Sequence, residues 1–342
     1  MNTHVKSSEN PESTGFPAWW RFCVAPMMEA TDRHCRYFHR LLSRRARLYT
    51  EMLHAQAVVR GNRARLLDFH PAEHPVVLQL GGSEPALLAQ AAHIGEDCGY
   101  DEINLNCGCP SDRVQRGRFG ACLMLEPARV ADCVAAMRAA VRVPVTIKCR
   151  IGVDEQDERR ALSDFVDSVA AAGCTVFIVH ARKAWLRGLS AKENRAVPPL
   201  LYARVYALKR QRPHLTVVLN GGIDSLQQAQ RHLQHLDGVM LGRAAYERPW
   251  LLRQVDPLLF GSAAPFAEPA AVLRALAGYL DTQLAAGTPA SAVVRHWLGL
   301  WHGRPGARAF RRALVDGART TAAGAELIER ALSATCTLDA AA

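Results

Sequence analysis

The chain has 342 residues, 49% of them hydrophobic and 22% charged, which suits a globular protein with one large α/β domain and a smaller companion. No apolar run reaches the roughly 20 residues needed to cross a bilayer, and the polar start over residues 1–18 lacks the apolar stretch of a secretory signal, so a membrane-embedded or secreted protein is set aside in favour of a cytoplasmic one. The formal net charge of +10 favours a polyanionic partner over an acidic one.

After the polar tail, expected to be disordered, eight short apolar runs follow. They are Arg21–Pro26, Ala46–Met52, Pro75–Leu80, Glu102–Asn106, Pro144–Cys149, Thr175–His180, Thr216–Asn220 and Gly238–Leu241. Such runs are what parallel strands buried on both faces require. Helical periodicity fills the gaps between them, over Asp32–Leu42, Pro85–Ile94, Pro127–Val141, Glu158–Ala172, Pro199–Lys209 and Leu226–Leu236. Several of these helices open on proline, which is favoured at the first helical position. Alternating β and α units over residues 19–260 predict a (β/α)8 TIM barrel. An open doubly wound sheet ranks second, because no GxGxxG follows the first run.

Gly261–Pro269 has the composition of a linker. Beyond it the pattern is helical only, with Val272, Leu273, Leu276, Tyr279, Leu280 and Leu284 on one amphipathic face. Further helices are predicted over Val293–Leu300, Ala307–Val315 and Gly324–Leu332. A small helical bundle over residues 261–337 is therefore expected, with a frayed tail over 338–342.

The ten cysteines are scattered and several lie inside apolar runs, as in Ile147-Lys-Cys149. That is the usage of a reducing compartment, not a disulfide framework. Cys107 and Cys109 could supply two metal ligands, but no CxxC and no paired His at finger spacing completes a set, so no metal is expected. The basic residues are clustered. Nine arginines and a single acid, Glu51, lie between Arg33 and Arg65. Arg113, Arg116 and Arg118 follow Cys109, five more cations lie between Arg182 and Arg195, and Arg304, Arg308, Arg311 and Arg312 group near the C-terminus. Each cluster alone reads as a solvated face. Together they favour a polyanion, for which arginine forks are suited.

In this barrel type the strand C-termini make the active face. The tails there supply Pro26, Met27 and Met28, then Gln79, Asn106 with Cys109, Lys148, His180, Asn220-Gly221-Gly222 and Gly242-Arg243. Glycines after the seventh and eighth strands suit a phosphate, because backbone N–H groups can approach its oxygens. Lys148 ends the fifth run. It either faces developing negative charge at the mouth or pairs with a barrel carboxylate. Gln79 and His180 could hold a flat heterocycle by hydrogen bonds. Cys109, between Gly108 and Pro110, offers a thiol with an ordinary pKa of about 8.5, able to give a proton near neutral pH, or to act as a nucleophile beside a base. Cys107 is expected to be strand packing.

Several stretches resemble the tRNA-dihydrouridine synthases, most of all the bacterial A-type branch. They are Val24-Ala-Pro-Met-Met-Glu-Ala-Thr-Asp32, Asn106-Cys-Gly-Cys-Pro-Ser-Asp-Arg-Val-Gln115, Gly117-Arg-Phe-Gly-Ala-Cys-Leu-Met124, His180-Ala-Arg-Lys-Ala-Trp-Leu186 and Asn220-Gly-Gly-Ile223. The likeness runs from about Arg21 to Arg330.

The resemblance implies an FMN-bearing TIM barrel joined to a helical tRNA-binding domain. It implies reduction of uridine to dihydrouridine at positions 20 and 20a of tRNA, with NADPH as reductant. It places flavin contacts on Pro26, Met27, Met28, Gln79, Lys148, His180, Asn220, Gly221, Gly222, Gly242 and Arg243. It puts the proton donor on Cys109 and tRNA contacts near Asn106, Lys192, Arg195, Arg308 and Arg311. One departure is Cys107, where relatives commonly carry an apolar residue; it could serve as an oxidation partner for Cys109. Nothing demands more than a monomer. Two other readings are an FMN barrel acting on a small pyrimidine and a catalytically inactive RNA-binding barrel.

Overall fold

Eight parallel strands close on themselves in chain order. They are β1 (Phe22–Val24), β2 (Arg47–His54), β3 (Val76–Gly81), β4 (Glu102–Cys107), β5 (Val145–Arg150), β6 (Val176–His180), β7 (Thr216–Asn220) and β8 (Gly238–Leu241). Helices separate them, so this is the (β/α)8 barrel that the eight runs predicted. The computed structural model describes residues 18–157, 159–320 and 323–336. The tails expected to be disordered fall outside these, apart from Ala18.

Strand side chains alternate between two environments. On β4, Ile103, Leu105 and Cys107 are buried in the layer between sheet and helices. Glu102, Asn104 and Asn106 point the other way, into the barrel. The interior is apolar on one side, with Cys23, Tyr49, Val77, Ile178, Val218 and Met240 packed together. On the other side it is polar. At the base, the fully buried Glu102 carboxylate accepts hydrogen bonds from Trp20 Nε1 and Arg47 Nε, both at 2.7 Å, from Tyr49 at 3.1 Å and from the Thr146 hydroxyl. A buried carboxylate is tolerated because every lone pair is used and Arg47 neutralises it.

The helices after Gly261 dock on the first barrel helix, Arg33–Leu42. Asp32 caps that helix, accepting from the backbone N–H groups of His34 and Cys35 at 3.0 Å each. The same carboxylate accepts from Arg295 at 2.6 Å and His296 at 3.0 Å. Burial pushes its pKa up, but the hydrogen bond and charge of His296 outweigh burial and hold the carboxyl well below its ordinary range. Tyr279, on the helix Pro269–Ala285, stacks on Tyr37 with centroids 3.9 Å apart, and its hydroxyl meets His34 Nδ1 at 2.8 Å.

Some boundaries differ from the sequence expectation. β2 runs on to His54, with its register to β3 slipping between Tyr49 and Met52. The helix expected from Pro199 starts at Tyr202, because the preceding residues are tied to the β6 tail: Leu201 N donates to Ala181 O at 2.8 Å and Arg182 donates to Pro198 O. The helix expected from Glu158, a residue outside those described, spans Arg160–Ala171. The expected helix Val293–Leu300 is a short helix, Ala290–Val294, followed by turns. Those turns include Gly299. A Cβ there would lie 2.5 Å from Glu247 O, so the chain presses its bare backbone against the end of the barrel.

Candidate active site

The strand C-termini surround a cavity of ≈ 930 Å³, at the upper end of the range that small-molecule and cofactor sites occupy. Every residue on which the resemblance places a flavin contact lines it: Pro26, Met27 and Met28 beyond β1, Gln79 on β3, Lys148 on β5, His180 on β6, Asn220–Gly222 after β7, and Gly242 with Arg243 after β8. Cys109 and Asn106 line it from β4. A smaller cavity of ≈ 390 Å³ beside His54 and Arg118 contains none of them.

The register of the sheet puts Gln79 beside Asn104, Asn104 beside Thr146 and Asn106 beside Lys148. Gln79 Nε2 donates to Asn104 at 2.8 Å, and Asn106 Nδ2 donates to Gln79 Oε1 at 2.9 Å. Asn106 Oδ1 then accepts from Gly108 N at 3.0 Å and Cys109 N at 2.9 Å. Asn106 was expected to touch tRNA. Its side chain is buried, committed to these bonds and part of the cavity lining, so it shapes the floor of the cavity and the Cys109 loop.

The loop is held from two other sides. Ala121 N donates to Cys109 O at 2.8 Å, which places the Gly117–Met124 motif directly behind the thiol. Arg150, at the end of β5, donates from Nε to Gly108 O at 3.1 Å. Cys109 itself is half-buried, with its Sγ 3.5 Å from Ser111 Oγ. Cys107 cannot be its oxidation partner in this fold: β4 turns that side chain outward into the core, fully buried, and burial pushes its thiol pKa well up.

Lys148 donates to Asn220 Oδ1 at 3.0 Å, and Asn220 is oriented by its own bond to Met240 O at 2.8 Å. No carboxylate pairs with Lys148 among the described residues. Burial, then the neighbouring Arg150, lowers its pKa to about 8. His180 Nδ1 lies 3.4 Å from Arg150 Nη1. A guanidinium only donates, so Nδ1 accepts and the ring carries its hydrogen on Nε2. Burial and the charges of Arg150 and Lys148 push its pKa well down, keeping it neutral.

Arg150 is the residue whose weight the sequence did not show. It is buried, yet no described carboxylate pairs with it. Besides Gly108 it donates from Nη1 to Asn194 O at 3.0 Å and reaches Lys183 O at 3.5 Å. It therefore ties the β4 loop, the β6 tail and the turn Glu193–Arg195 together. Of the basic residues expected to meet tRNA, Arg195 lines the cavity from that turn and Lys192 is exposed just before it. Arg308 and Arg311 are exposed on the helix Ala307–Gly317, apart from the mouth. His302, from the turns that follow Ala290–Val294, brings the C-terminal region to the rim.

The residues fit a flat, phosphorylated heterocycle. Five cations line the cavity, Lys148, Arg150, Arg195, Arg243 and Arg248, against two acids, Asp224 and Glu247. Gly221 and Gly222 have φ of 110° and 70°, and a Cβ on Gly222 would meet Leu200 Cδ1 at 2.4 Å, so only glycine leaves that floor open.

Fold and mouth together define a (β/α)8-barrel enzyme with a thiol set opposite a cationic, glycine-floored site. The model of the dihydrouridine synthase (Dus) family matches residues 23–336, and the chain belongs to that family. A tRNA-dihydrouridine(20/20a) synthase of Xanthomonas axonopodis pv. citri is 59% identical over 322 residues, 94% of this chain and 96% of the relative. The proteins of the same name from Xylella fastidiosa strain 9a5c and Escherichia coli K12 are 58% identical over 325 residues and 55% identical over 328. Each alignment spans 95% or 96% of this chain and 95% of the relative. Among solved structures, a 2-naphthoyl-CoA reductase in complex with 2-naphthoyl-CoA superposes with a TM-score of 0.52 at 8% identity, over 69% of this chain and 49% of its own; that likeness concerns the fold alone.

Proposed function

We propose that this protein reduces the C5=C6 bond of uridine to 5,6-dihydrouridine in the D-loop of tRNA, at positions 20 and 20a, with FMN as its prosthetic group and NADPH as reductant. The observation that carries the proposal is the pairing of Cys109, on a loop fixed from three sides, with a cation-rich, glycine-floored cavity. FMN, when bound, would supply the hydride that C6 of the uracil ring takes up. Charge would then develop over C5 and O4, and Cys109, in the cavity wall, would deliver a proton to C5.

Lys148, the His180 Nε2–H and the Gln79 amide hold and orient the flavin, and Asn220–Gly222 with Gly242 and Arg243 hold its phosphate. The barrel over 19–260 carries the chemistry. The helices over 261–337, with Arg308 and Arg311, grip the tRNA backbone together with Lys192 and Arg195, so that the target uridine can leave its stack. No helix of the described residues is long and apolar enough to cross a membrane, and a cytoplasmic monomer suits the work.

The purified protein, supplied with FMN and NADPH, is expected to form dihydrouridine at positions 20 and 20a of an unmodified tRNA transcript, read by primer extension or mass spectrometry, and to leave free uridine untouched. Equal turnover of free uridine would favour the small-pyrimidine reading, and a protein that takes up no FMN would favour the inactive RNA binder.

Lys148 gives a pH prediction. With its pKa lowered to about 8 in the folded protein, the ammonium is present below that pH and lost above it. A lysine that holds an anionic ligand should therefore bind it less well as pH rises. FMN affinity, measured by fluorescence quenching, is expected to fall by up to about tenfold from pH 7 to pH 9. In Lys148→Met that slope should flatten; an identical slope in the variant would remove Lys148 from the flavin set.

A further inference from the structure

We propose that Glu102, at the closed base of the barrel, is a positioning residue for the cavity at the open end, and that it acts through a one-way chain of hydrogen bonds. The chain runs from Glu102 through Thr146, Asn104, Gln79 and Asn106 to the amides of the Cys109 loop. The Thr146 hydroxyl donates to Glu102 Oε1. Asn104 Nδ2 donates to Thr146 Oγ1 at 2.8 Å, Gln79 Nε2 to Asn104 Oδ1 at 2.8 Å, and Asn106 Nδ2 to Gln79 Oε1 at 2.9 Å. At the top, Asn106 Oδ1 accepts from the backbone N–H groups of Gly108 and Cys109. All five side chains are buried.

Direction is what makes this chain informative. An ionised carboxylate can only accept. Thr146 has one hydrogen and gives it to Glu102, so its oxygen must accept from Asn104. That fixes the Asn104 amide, which fixes Gln79, which fixes Asn106. A backbone N–H can only donate, and two of them meet Asn106 Oδ1. Both ends therefore demand the same polarity, and no amide along the way has a choice. One consequence reaches the cavity: Gln79 presents its second Nε2 hydrogen there, with no other described acceptor. The other is that the Cys109 loop has a single seat. In a dry interior an amide turned the wrong way leaves a donor facing a donor, which costs the full desolvation of both.

Glu102→Gln tests this. A neutral amide at 102 must turn its NH2 group either toward Arg47 and Trp20, which are donors, or toward the hydroxyls of Tyr49 and Thr146. The second choice takes away the acceptor of the Thr146 hydrogen, so either that hydrogen is left without a partner or each link reverses in turn, until Asn106 offers its NH2 to the two loop amides. The expected result is FMN binding weakened by about tenfold and a faster alkylation of Cys109 by iodoacetamide in flavin-free protein, read on the Cys109 peptide by mass spectrometry. Thr146→Val cuts the chain while leaving the Glu102–Arg47 ion pair whole. It is expected to raise Cys109 reactivity by itself, and Thr146→Ser, which restores the hydroxyl, should return it to the wild-type rate. Adding Glu102→Gln to Thr146→Val should then change nothing further at the cavity.

An effect of Glu102→Gln that persists in full in the Thr146→Val background would mean that lost charge acts through space, and would overturn the chain. So would folded single variants with wild-type FMN affinity and wild-type Cys109 reactivity. If Glu102→Gln does not fold, the Val and Ser variants at Thr146 decide alone. The FMN readout rests on the proposed function, whereas the alkylation readout does not; a wild-type protein that binds no FMN would sink that function and still leave the chain to be judged.

Discussion

Cys109→Ala is expected to give a protein that takes up FMN and oxidises NADPH yet forms dihydrouridine about 10²- to 10⁴-fold more slowly, the range set by loss of a positioned general acid. The geometry makes this a clean deletion. The loop is held by its backbone, through Asn106 Oδ1, the Arg150 guanidinium and the Ala121 amide, and none of these bonds involves the sulfur. Among the described residues the thiol's hydrogen-bond contact is Ser111 Oγ. Removing it empties a half-buried position at the cavity wall without opening a void in the core. Flavin uptake and NADPH oxidation, followed by absorbance, should stay near wild type while dihydrouridine in tRNA disappears from the product. Undiminished product on a full tRNA substrate would show that another group protonates C5.

Much of this arrangement was legible in the sequence, because a parallel barrel writes itself locally. Each strand is a short apolar run, each active-face residue sits in the tail of such a run, and the tails could be read without knowing which strands touch. Gln79, Lys148, His180, Asn220 and Cys109 were all visible in that way, and all line one cavity. Strand parity carries a second signal. In Glu102-Ile-Asn-Leu-Asn-Cys107 polar and apolar residues alternate, which assigns Glu102, Asn104 and Asn106 to one face and Cys107 to the other. That alternation places Asn106 on the face that lines the cavity and Cys107 in the surrounding core, away from the thiol. The remainder was not local. The polar column exists only when β3, β4 and β5 align in register, and Thr146 inside an apolar run looks like an ordinary strand residue until Glu102 and Asn104 are set beside it. Gly299 presses on Glu247, a contact between the C-terminal helices and the end of the barrel that helical periodicity could not reveal.

Arg150→Met is expected to lower the rate of dihydrouridine formation by about 10²-fold, in the range that misplacing a reacting group costs, and to weaken FMN binding as well, because His180 Nδ1 loses the donor that fixes its tautomer. Arg150 is a buried cation with no described carboxylate against it, and burial, followed by the nearby Arg195 and Arg182, lowers its pKa to about 10. A lone buried charge is costly, so it is retained for what its fork reaches: Gly108 O in the Cys109 loop, Asn194 O in the turn that carries Arg195, and Lys183 O beyond β6. Methionine matches the length of the stem and supplies none of these donors. Three carbonyl oxygens lose a partner, at about 1–3 kcal/mol for each that stays buried, and water or movement of the loops must relieve them. Either response displaces Cys109 and Arg195 together. The loss should therefore appear both in the rate at saturating tRNA and in the affinity for tRNA, whereas Cys109→Ala should affect the rate alone. Arg150→Lys keeps the charge but replaces a planar fork with a single point of attachment, so it should recover little. Full recovery with lysine would mean that charge at this position, rather than the three carbonyls it ties together, sets the activity.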